Sequence, residues 1–363
     1  MNTRDLSHFN EYVPGRGSDE VAMERGVDPD TLIELASNEN ALGPSPKSVE
    51  TIKRAANEVH RYPKGAHTQL VSALAESWDT SHDQVWVANG GDGALDYLSR
   101  ALLDPEDTVL VPDPGFAYYG MSARYHHGRA KTYPLERTNG FQIDVDDIVD
   151  RAEDPRIVYL TSPHNPTGAT VALETIEEIA DRTGENTLVV VDEAYGAFAD
   201  VPSAVRLVDE RDDIAVLRSF SKSYGLAGVR LGYAIVPESW ARAYRKVNTP
   251  FAASELACRA GLAAIQDVDH LDRTIEMVRT GRDRMIDELP VHTWPSQGNF
   301  VLAEVGDAAA VADALLDRGI LIRDCTSFGL PDCIRITVGT EEETEQAIEA
   351  CQDVLHERGA IER

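Results

Sequence analysis

Lysine is scarce in this chain. Only six of its 34 basic residues are lysines, whereas Asp and Glu total 62, and the formal net charge is −28. Such an acidic chain lacks the basic phosphate contacts that nucleic-acid binding requires, and it is equally unsuited to an anionic membrane surface. Acid excess with little lysine is typical of proteins kept soluble in concentrated salt, where screening acts over only about 3 Å at 1 M. An ordinarily acidic cytosolic enzyme is the alternative.

Cysteine and long apolar runs are also scarce. The four cysteines form no C-x-x-C pair, which favours reduced thiols in a cytoplasmic protein. Residues 1–12 show no apolar segment typical of a secretory signal, and no run approaches the roughly 18 apolar residues of a membrane span. H-E-x-x-H, G-x-S-x-G, Walker-lysine and zinc-like spacings are absent, so we expect no metal site.

The 363 residues are 42% apolar, enough to bury a large core. Short apolar runs, several apolar on consecutive residues, alternate with helical patterns, which predicts a mostly parallel sheet covered by helices on both faces. The predicted strands are residues 84–89, 108–112, 156–161, 187–193, 214–220 and 232–237, with a helix at 173–183. The expected fold class is therefore α/β.

The pattern changes after residue 250. A helical region (253–289) precedes a mixed α+β segment, which predicts a smaller second domain. Its predicted elements are strands at 299–305, 320–324 and 333–339 and helices at 307–318 and 341–358. We expect three parts: a polar, turn-rich arm (1–45) that packs on the small domain and on a partner subunit, a large domain (46–250) and a small domain (251–363).

Two segments place polar groups directly after buried strands, where ligands of open α/β sheets bind. In S-P-H-N-P-T-G (162–168) the prolines and glycine fix a turn that presents Asn165, although a plain connecting turn is the alternative. Asp192 ends the apolar strand of V-V-V-D-E-A-Y, where an unpaired carboxylate is costly. It calls for a cation, either a protonated heteroaromatic ring or a metal ion, and Tyr195 could reach the same place. A helix-capping Asp is the alternative.

The segment R-S-F-S-K-S-Y-G (218–225) brings one of the six lysines, Lys222, to a strand end among Ser219 and Ser221. An amine near another cation titrates at lower pH and becomes a nucleophile for carbonyl carbons. Arg230 could supply that charge while holding a phosphate. A solvated lysine in a serine loop is the alternative.

A glycine-rich turn, A-N-G-G-D-G (88–93), follows the first strand of the predicted sheet. Gly91 and Asp92 would present backbone N–H groups to an anion at a helix N-terminus, although a simple turn is equally compatible. Phe116 follows the next strand and could stack on a flat ligand, or belong to the core. Taken together, these groups match pyridoxal 5′-phosphate bound as a Schiff base. They provide a phosphate site, a carboxylate for a ring nitrogen, amide and hydroxyl donors, and an amine.

The order of these motifs resembles the fold-type I pyridoxal-phosphate aminotransferases over nearly the whole chain, and among them the histidinol-phosphate aminotransferases, above all those of salt-loving archaea. The motifs that carry the resemblance are Y-V-P-G-R (12–16), L-A-S-N-E-N-x-x-G-P (35–44), R-Y-P (61–63), N-P-T-G (165–168), D-E-A-Y (192–195), F-S-K-S-Y-G-L-A-G-V-R-L-G-Y (220–233) and I-R-D…F-G-L-P-x-x-I-R-I-T-V-G-T (322–340). One departure is G-G-D-G, where many relatives carry an acidic residue after the Asp.

The resemblance implies roles for these positions. Lys222 would form the Schiff base and move the substrate's α-proton. Asp192 would keep the pyridine nitrogen protonated. Further cofactor contacts would come from Asn165 and Tyr195 to the phenolic oxygen, from Gly91, Asp92, Ser219, Ser221 and Arg230 to the phosphate, and from Tyr62 to the phosphate of a neighbouring subunit in a homodimer.

At the substrate end, Arg335 would bind the carboxylate of glutamate and the phosphate of the other substrate, assisted by Arg323 and Tyr12. The implied reaction converts L-histidinol phosphate and 2-oxoglutarate to imidazole-acetol phosphate and L-glutamate, in histidine biosynthesis. Two alternatives use the same fold: a threonine-phosphate decarboxylase, and an aromatic or aspartate aminotransferase. A cofactor-sensing regulator is disfavoured, because residues 1–45 leave no room for a helix-turn-helix domain.

Overall fold

A computed structural model of the protein describes residues 6, 9, 11–12, 15, 17–63, 67–151 and 153–359. Val13, Pro14 and Arg16 of the arm motif therefore lie outside the described residues. The helices are α1 (Ser18–Arg25), α2 (Pro46–Ala55), α3 (Thr68–Trp78), α4 (Gly90–Leu102), α5 (Tyr118–Tyr125), α6 (Val145–Arg151), α7 (Leu173–Thr183), α8 (Val205–Val208), α9 (Ala241–Val247), α10 (Glu255–Ile265), α11 (Val268–Glu288), α12 (Ala308–Leu316) and α13 (Glu341–Glu357). The strands are β1 (Ile33–Leu35), β2 (Val85–Ala88), β3 (Thr108–Asp113), β4 (Arg129–Pro134), β5 (Ile157–Thr161), β6 (Leu188–Asp192), β7 (Ile214–Ser219), β8 (Gly232–Ile235), β9 (Phe300–Glu304), β10 (Ile320–Asp324) and β11 (Cys333–Thr337).

In the described residues, the larger sheet has seven strands in the order β2-β8-β7-β6-β5-β3-β4. Every neighbouring pair is parallel except those involving β8, which runs antiparallel to β2 and β7. Consecutive residues of β6 alternate between two apolar clusters: Val189 and Val191 pack on one face, Leu188 and Val190 on the other. Both faces are thus covered, which explains the continuous apolar run in the sequence. The predicted α/β class with a mostly parallel sheet is confirmed.

The smaller sheet has the order β1-β10-β11-β9. Its strand β1 comes from the N-terminal region and pairs in parallel with β10, with Ile33 opposite Ile320. A separate apolar cluster fills the space between this sheet and helices α11 to α13. The N-terminal region therefore supplies a strand to the C-terminal sheet. The domain bounds at residues 45 and 250 stay a prediction.

All nine predicted strands occur, but β1 and β4 were not predicted. Strand β1 has only three residues, and β4 is an edge strand on which Tyr133 is the one buried residue, so neither shows an apolar run. The predicted helical region over 253–289 is confirmed, and it consists of two separate helices, α10 and α11. They part at Asp267, which leaves helical geometry while its carboxylate accepts the Ser45 hydroxyl (2.5 Å) and pairs with Lys47 (3.0 Å).

A substitution at Leu160 tests whether β5 lies in the buried core of the larger sheet. It lies in the middle of β5 with no exposed surface, so Leu160→Ala should lower the free energy of unfolding by about 2–5 kcal/mol through lost burial and a residual cavity. Urea unfolding followed by circular dichroism measures the loss. Leu42→Ala is the matched control, since Leu42 is 40% exposed and should change stability by less than about 0.5 kcal/mol. Equal effects of the two variants would contradict this placement of β5.

Candidate functional site

Asp192 lies at the carboxyl end of β6. Its Oδ2 accepts the Tyr119 hydroxyl at 2.7 Å and its Oδ1 accepts the Ala194 N–H at 2.9 Å. Burial raises the pKa of this carboxyl above its ordinary value. Among the described residues, no Lys, Arg or His forms an ion pair with it. A carboxylate at this depth without a cation fits a site that receives a positively charged or N–H donor group from a ligand.

Lys222 sits in the turn that follows β7. Its Nζ donates to the carbonyl oxygen of Ser37 at 3.2 Å and lies 5.6 Å from the centroid of the Tyr195 ring. Ser37 belongs to the segment after β1, so the N-terminal region crosses the lysine turn. Asn40 adds a second contact there, its Nδ2 donating to the Ser223 carbonyl at 3.1 Å. The lysine is thus held by a carbonyl that the sequence analysis did not identify.

The glycine-rich turn and the end of the lysine segment form a concave cradle at the N-terminus of α4. Arg230 donates from Nη2 to Asp92 Oδ2 at 3.0 Å and approaches Ser221 Oγ at 3.5 Å. A Cβ on Gly232 would lie 2.5 Å from backbone atoms of Gly90 and Gly91, so glycine is required for this close approach. Helix N–H groups, a guanidinium and serine hydroxyls form a donor set that fits a phosphate.

Ser219 and Ser221 lie on either side of residue 220, next to this cradle. The Ser219 Oγ accepts the Ser221 N–H at 3.0 Å, which fixes the backbone of the turn. Arg230 itself adopts a left-handed conformation with φ +55°, and its Nη1 donates to the Ala227 carbonyl at 3.0 Å. The structure therefore brings together Gly91, Asp92, Ser221 and Arg230 as the sequence predicts.

Arg335, on β11, reaches the same cleft from the smaller sheet. It is only 5% exposed, and its Nη1 donates to Asn165 Oδ1 at 2.5 Å while its Nη2 donates to the Ala36 carbonyl at 2.6 Å. Its Nε is buried without a hydrogen-bond partner in the described residues. Because the guanidinium occupies Oδ1, the Nδ2 of Asn165 is the amide atom left to donate to a ligand. The structure thus joins two residues that the sequence analysis treated as independent.

Arg323 faces Arg335 across the β10–β11 pair, and its Nη2 donates to Ser327 Oγ at 2.9 Å. Tyr12 is 48% exposed and meets Phe116 edge-to-face, with ring centroids 6.0 Å apart. Phe116 also meets Tyr119 edge-to-face at 5.4 Å, so it stands beside the tyrosine that holds the Asp192 carboxylate. Stacking of Phe116 on a flat ligand stays a prediction.

Tyr62 lies away from these contacts. Its side chain is 81% exposed and stacks on Phe251, which is itself 51% exposed, with ring centroids 4.7 Å apart. An exposed aromatic pair of this kind is available to another molecule. The predicted contact of Tyr62 with a neighbouring subunit stays a prediction.

Three groups around the site were not identified from the sequence. Tyr119, three residues after Phe116 and in the first turn of α5, donates to Asp192. His164 joins two strand-end turns, with Nε2 3.0 Å from the Pro114 carbonyl and Nδ1 2.9 Å from Thr167 Oγ1, and burial lowers its pKa to about 4. Asn38 contacts the Tyr195 hydroxyl at 3.0 Å. His164 and Asn38 stand inside quoted motifs, but the contacts of His164 with Pro114 and of Asn38 with Tyr195 join distant segments, which no local pattern shows.

Within the part of the chain that the structure describes, no cluster of three or more His, Cys, Asp or Glu side chains could hold a metal ion. None of the helices described is both long and apolar enough to span a membrane.

Comparison with known proteins identifies the family. The model of aminotransferase class I and II matches residues 30–351. The chain is 59% identical to the histidinol-phosphate aminotransferase of Natronomonas pharaonis, over 98% of this chain and all of that protein. It is 58% identical to that of Halorubrum lacusprofundi, over 99% of each.

This chain belongs to the histidinol-phosphate aminotransferase family. The crystal structure of the Sinorhizobium meliloti histidinol-phosphate aminotransferase, in complex with pyridoxal-5′-phosphate, superposes with a TM-score of 0.87 at 27% identity and 98% coverage of both chains. The fold is accordingly that of the fold-type I aminotransferases, and the resemblance drawn from the motifs is confirmed.

A buried ion pair behind the site is open to test. Glu193, next to Asp192, pairs with Arg218, next to Ser219, at 2.6 Å, and the guanidinium lies 4.3 Å from the Trp78 ring centroid. Arg218→Met should lower the free energy of unfolding by about 3–5 kcal/mol, because Glu193 is left buried without its cation. Urea unfolding measures the loss.

Arg25→Met is the matched control for this variant. Arg25 forms exposed ion pairs with Asp313 and Asp317, whose loss should cost at most about 1 kcal/mol. If Arg218→Met were no more destabilising than Arg25→Met, the buried pair would have no structural role in joining the ends of β6 and β7.

Proposed function

We propose that this protein transfers an amino group from L-histidinol phosphate to 2-oxoglutarate, giving imidazole-acetol phosphate and L-glutamate, with pyridoxal 5′-phosphate as cofactor. One observation carries the proposal: at the carboxyl edge of one sheet lie a lysine amine, a phosphate cradle and a partly buried carboxylate that forms no ion pair with the described residues, and the buried Arg335 reaches Asn165 there. The family relationship supports the choice of substrate, since relatives at 58–59% identity carry this activity in their names.

The residues present fit this cofactor. The cradle around Gly91 and Arg230 would hold its phosphate, and Asp192 would pair with its ring nitrogen. Asn165 Nδ2 and the Tyr195 hydroxyl are donors for its phenolic oxygen. When bound, pyridoxal phosphate supplies an aldehyde for the substrate amine and a ring that withdraws electrons from the adjacent carbon.

Lys222 would serve both as the covalent anchor and as the base that moves the α-proton. Among the described residues, the carbonyl oxygen of Ser37 accepts a hydrogen bond from its Nζ and no carboxylate pairs with it, so the amine can leave this contact without breaking an ion pair there. Tyr195 and Asn165 would stabilise negative charge on the phenolic oxygen. Asp192 would keep the ring nitrogen protonated, which requires that the carboxyl ionise despite the burial that raises its pKa. The incoming ring cation favours that ionisation.

Arg335 would bind the anionic end of either substrate, the carboxylate of glutamate or the phosphate of histidinol phosphate. Its Nε, which has no hydrogen-bond partner among the described residues, and its planar guanidinium are suited to a carboxylate or phosphate. Arg323, on the neighbouring strand, adds a second positive charge, and Tyr12 lines the same end.

The half-reaction with one substrate distinguishes this proposal from its alternatives. We expect L-histidinol phosphate alone, added to the cofactor-loaded protein in concentrated KCl, to bleach the visible cofactor band stoichiometrically. Addition of 2-oxoglutarate should then restore it. Phosphothreonine and tyrosine are the parallel samples. Consumption of phosphothreonine with CO₂ release would favour the decarboxylase, and a faster response to tyrosine would favour an aromatic aminotransferase.

Lys222→Ala controls the same assay. It removes the anchor and the base, so turnover should fall at least about a hundredfold while some cofactor stays bound noncovalently. Substantial turnover by this variant would contradict the role assigned to Lys222.

We further propose that the working form is a homodimer in which Tyr62 reaches the cofactor phosphate of the partner subunit. The exposed Tyr62–Phe251 pair supports this, because exposed aromatic side chains are enriched where a second chain packs. The N-terminal arm would pack on the partner as well as on the small domain.

Light scattering should give a mass about twice the 39.8 kDa of one chain. Tyr62→Phe should leave that mass unchanged and weaken cofactor binding about tenfold, through loss of one hydrogen bond to a charged group. Tyr125→Phe, which alters another exposed tyrosine (38%), is the control and should bind cofactor normally. A monomeric cofactor-loaded protein would rule out the shared site.

The acidic composition and the relatives from halophilic archaea support a protein adapted to high salt. Four free, buried cysteines support a reducing, cytoplasmic location.

A further inference from the structure

Asn38 occupies a strained and fully enclosed position beside the site. It is 1% exposed and has a left-handed backbone, φ +52°, a conformation that asparagine tolerates better than most residues. It lies between β1 and α2, immediately after the residue whose carbonyl holds Lys222. Strain at a buried residue persists only where its surroundings enforce it.

The contacts of Asn38 fix which way its amide points. Thr337 Oγ1 accepts the Asn38 backbone N–H at 3.0 Å, and the Thr337 hydroxyl then donates its own proton to Asn38 Oδ1 at 3.1 Å. Because Oδ1 is the acceptor on that side, Nδ2 is the atom that faces Tyr195, and it donates to the Tyr195 oxygen at 3.0 Å. In this series of hydrogen bonds, from Thr337 through Asn38 to Tyr195, the direction of each bond follows from the one before it.

The Tyr195 oxygen therefore accepts a hydrogen bond from Asn38, and the Tyr195 hydroxyl keeps its own proton to donate to another acceptor. Its ring is held edge-to-face against Phe300, with centroids 5.1 Å apart, so it cannot rotate away easily. The Asn38 carbonyl is fixed in turn by Asn299 Nδ2 at 3.1 Å. Thr337 lies two residues after Arg335 on β11, so the strand that carries the substrate arginine also anchors the amide.

We propose that Asn38 is a positioning residue that makes Tyr195 a hydrogen-bond donor toward the phenolic oxygen of the cofactor. The inference deepens the proposed function and rests on it, since it concerns the cofactor contact of Tyr195. Asn38 acts through Tyr195 and makes no contact of its own with the reacting atoms.

Asn38→Asp tests the direction of these hydrogen bonds with little change in the shape of the side chain. Aspartate also tolerates a left-handed backbone, but its carboxylate accepts from both Thr337 and Tyr195 and so draws the tyrosine proton away from the cofactor. In the cofactor-loaded enzyme, the pH midpoint of the visible absorption change should rise by about one unit, because the unprotonated chromophore loses a donor. Tyr195→Phe should raise it by a similar amount.

Repeating Asn38→Asp in the Tyr195→Phe background separates two effects, the redirected Tyr195 hydrogen bond and the added negative charge of the aspartate. Lys222, Arg335 and Tyr12 are charged or titratable groups of the described residues that lie near Tyr195, and they are the same in every variant. If Asn38 acts through Tyr195, adding Asn38→Asp to Tyr195→Phe should give little further rise. An equal rise in both backgrounds would mean that the new charge alone is responsible, which would overturn the proposal.

A matched pair at Thr337 covers the case in which Asn38→Asp does not fold. Thr337→Ser keeps the hydroxyl and should leave the midpoint unchanged, whereas Thr337→Val removes it, frees the amide to turn, and should raise the midpoint. Equal midpoints for the two variants would overturn the proposal. If wild-type protein forms no lysine-linked chromophore, the proposed function fails. If it does and Asn38→Asp leaves the midpoint unshifted, only the role of Asn38 fails.

Discussion

The carboxylate at the end of β6 is the constraint around which the site is organised. Asp192 is placed at the edge of a sheet whose strands are covered on both faces, so water cannot fully compensate its charge. The protein supplies two hydrogen bonds, from Tyr119 and the Ala194 N–H, but no cation among the described residues. The two donors hold the carboxylate in place, and its negative charge is not neutralised by any described residue. A positively charged ligand group could therefore pair with it. In the proposed function, a positively charged ring bound beside Asp192 would offset the cost of burial.

Turns from separate strands carry the other groups, and long-range contacts set their positions. His164 ties the turn after β5 to the turn after β3, and the Glu193–Arg218 pair ties the end of β6 to that of β7. The segment after β1 contacts three site residues in succession. Two of its carbonyl oxygens accept hydrogen bonds from Arg335 and Lys222, and the next side chain donates to Tyr195. Since β1 belongs to the smaller sheet, the two sheets together form one site.

Much of the fold and of the candidate site could be predicted from the sequence. The central strands are apolar on consecutive residues, Asp192 ends one of them, and Lys222 follows another. The fold class and these two candidate site residues therefore follow from local patterns. Strands β1 and β4 could not be predicted, since one is three residues long and the other is a largely exposed edge. Asn38 could not be assigned a role either, because its partners Thr337 and Tyr195 lie 299 and 157 residues away.

The same long-range contacts explain why asparagines recur in this site. An amide offers a donor and an acceptor on one rigid group, so fixing either atom decides what the other can do. Arg335 occupies the Oδ1 of Asn165, and Thr337 occupies the Oδ1 of Asn38, and in both cases an Nδ2 donor remains on the far side. Both oxygens are held by residues of β11. The strand that would bind the substrate's anion thereby also sets the donors that would surround the cofactor's phenolic oxygen.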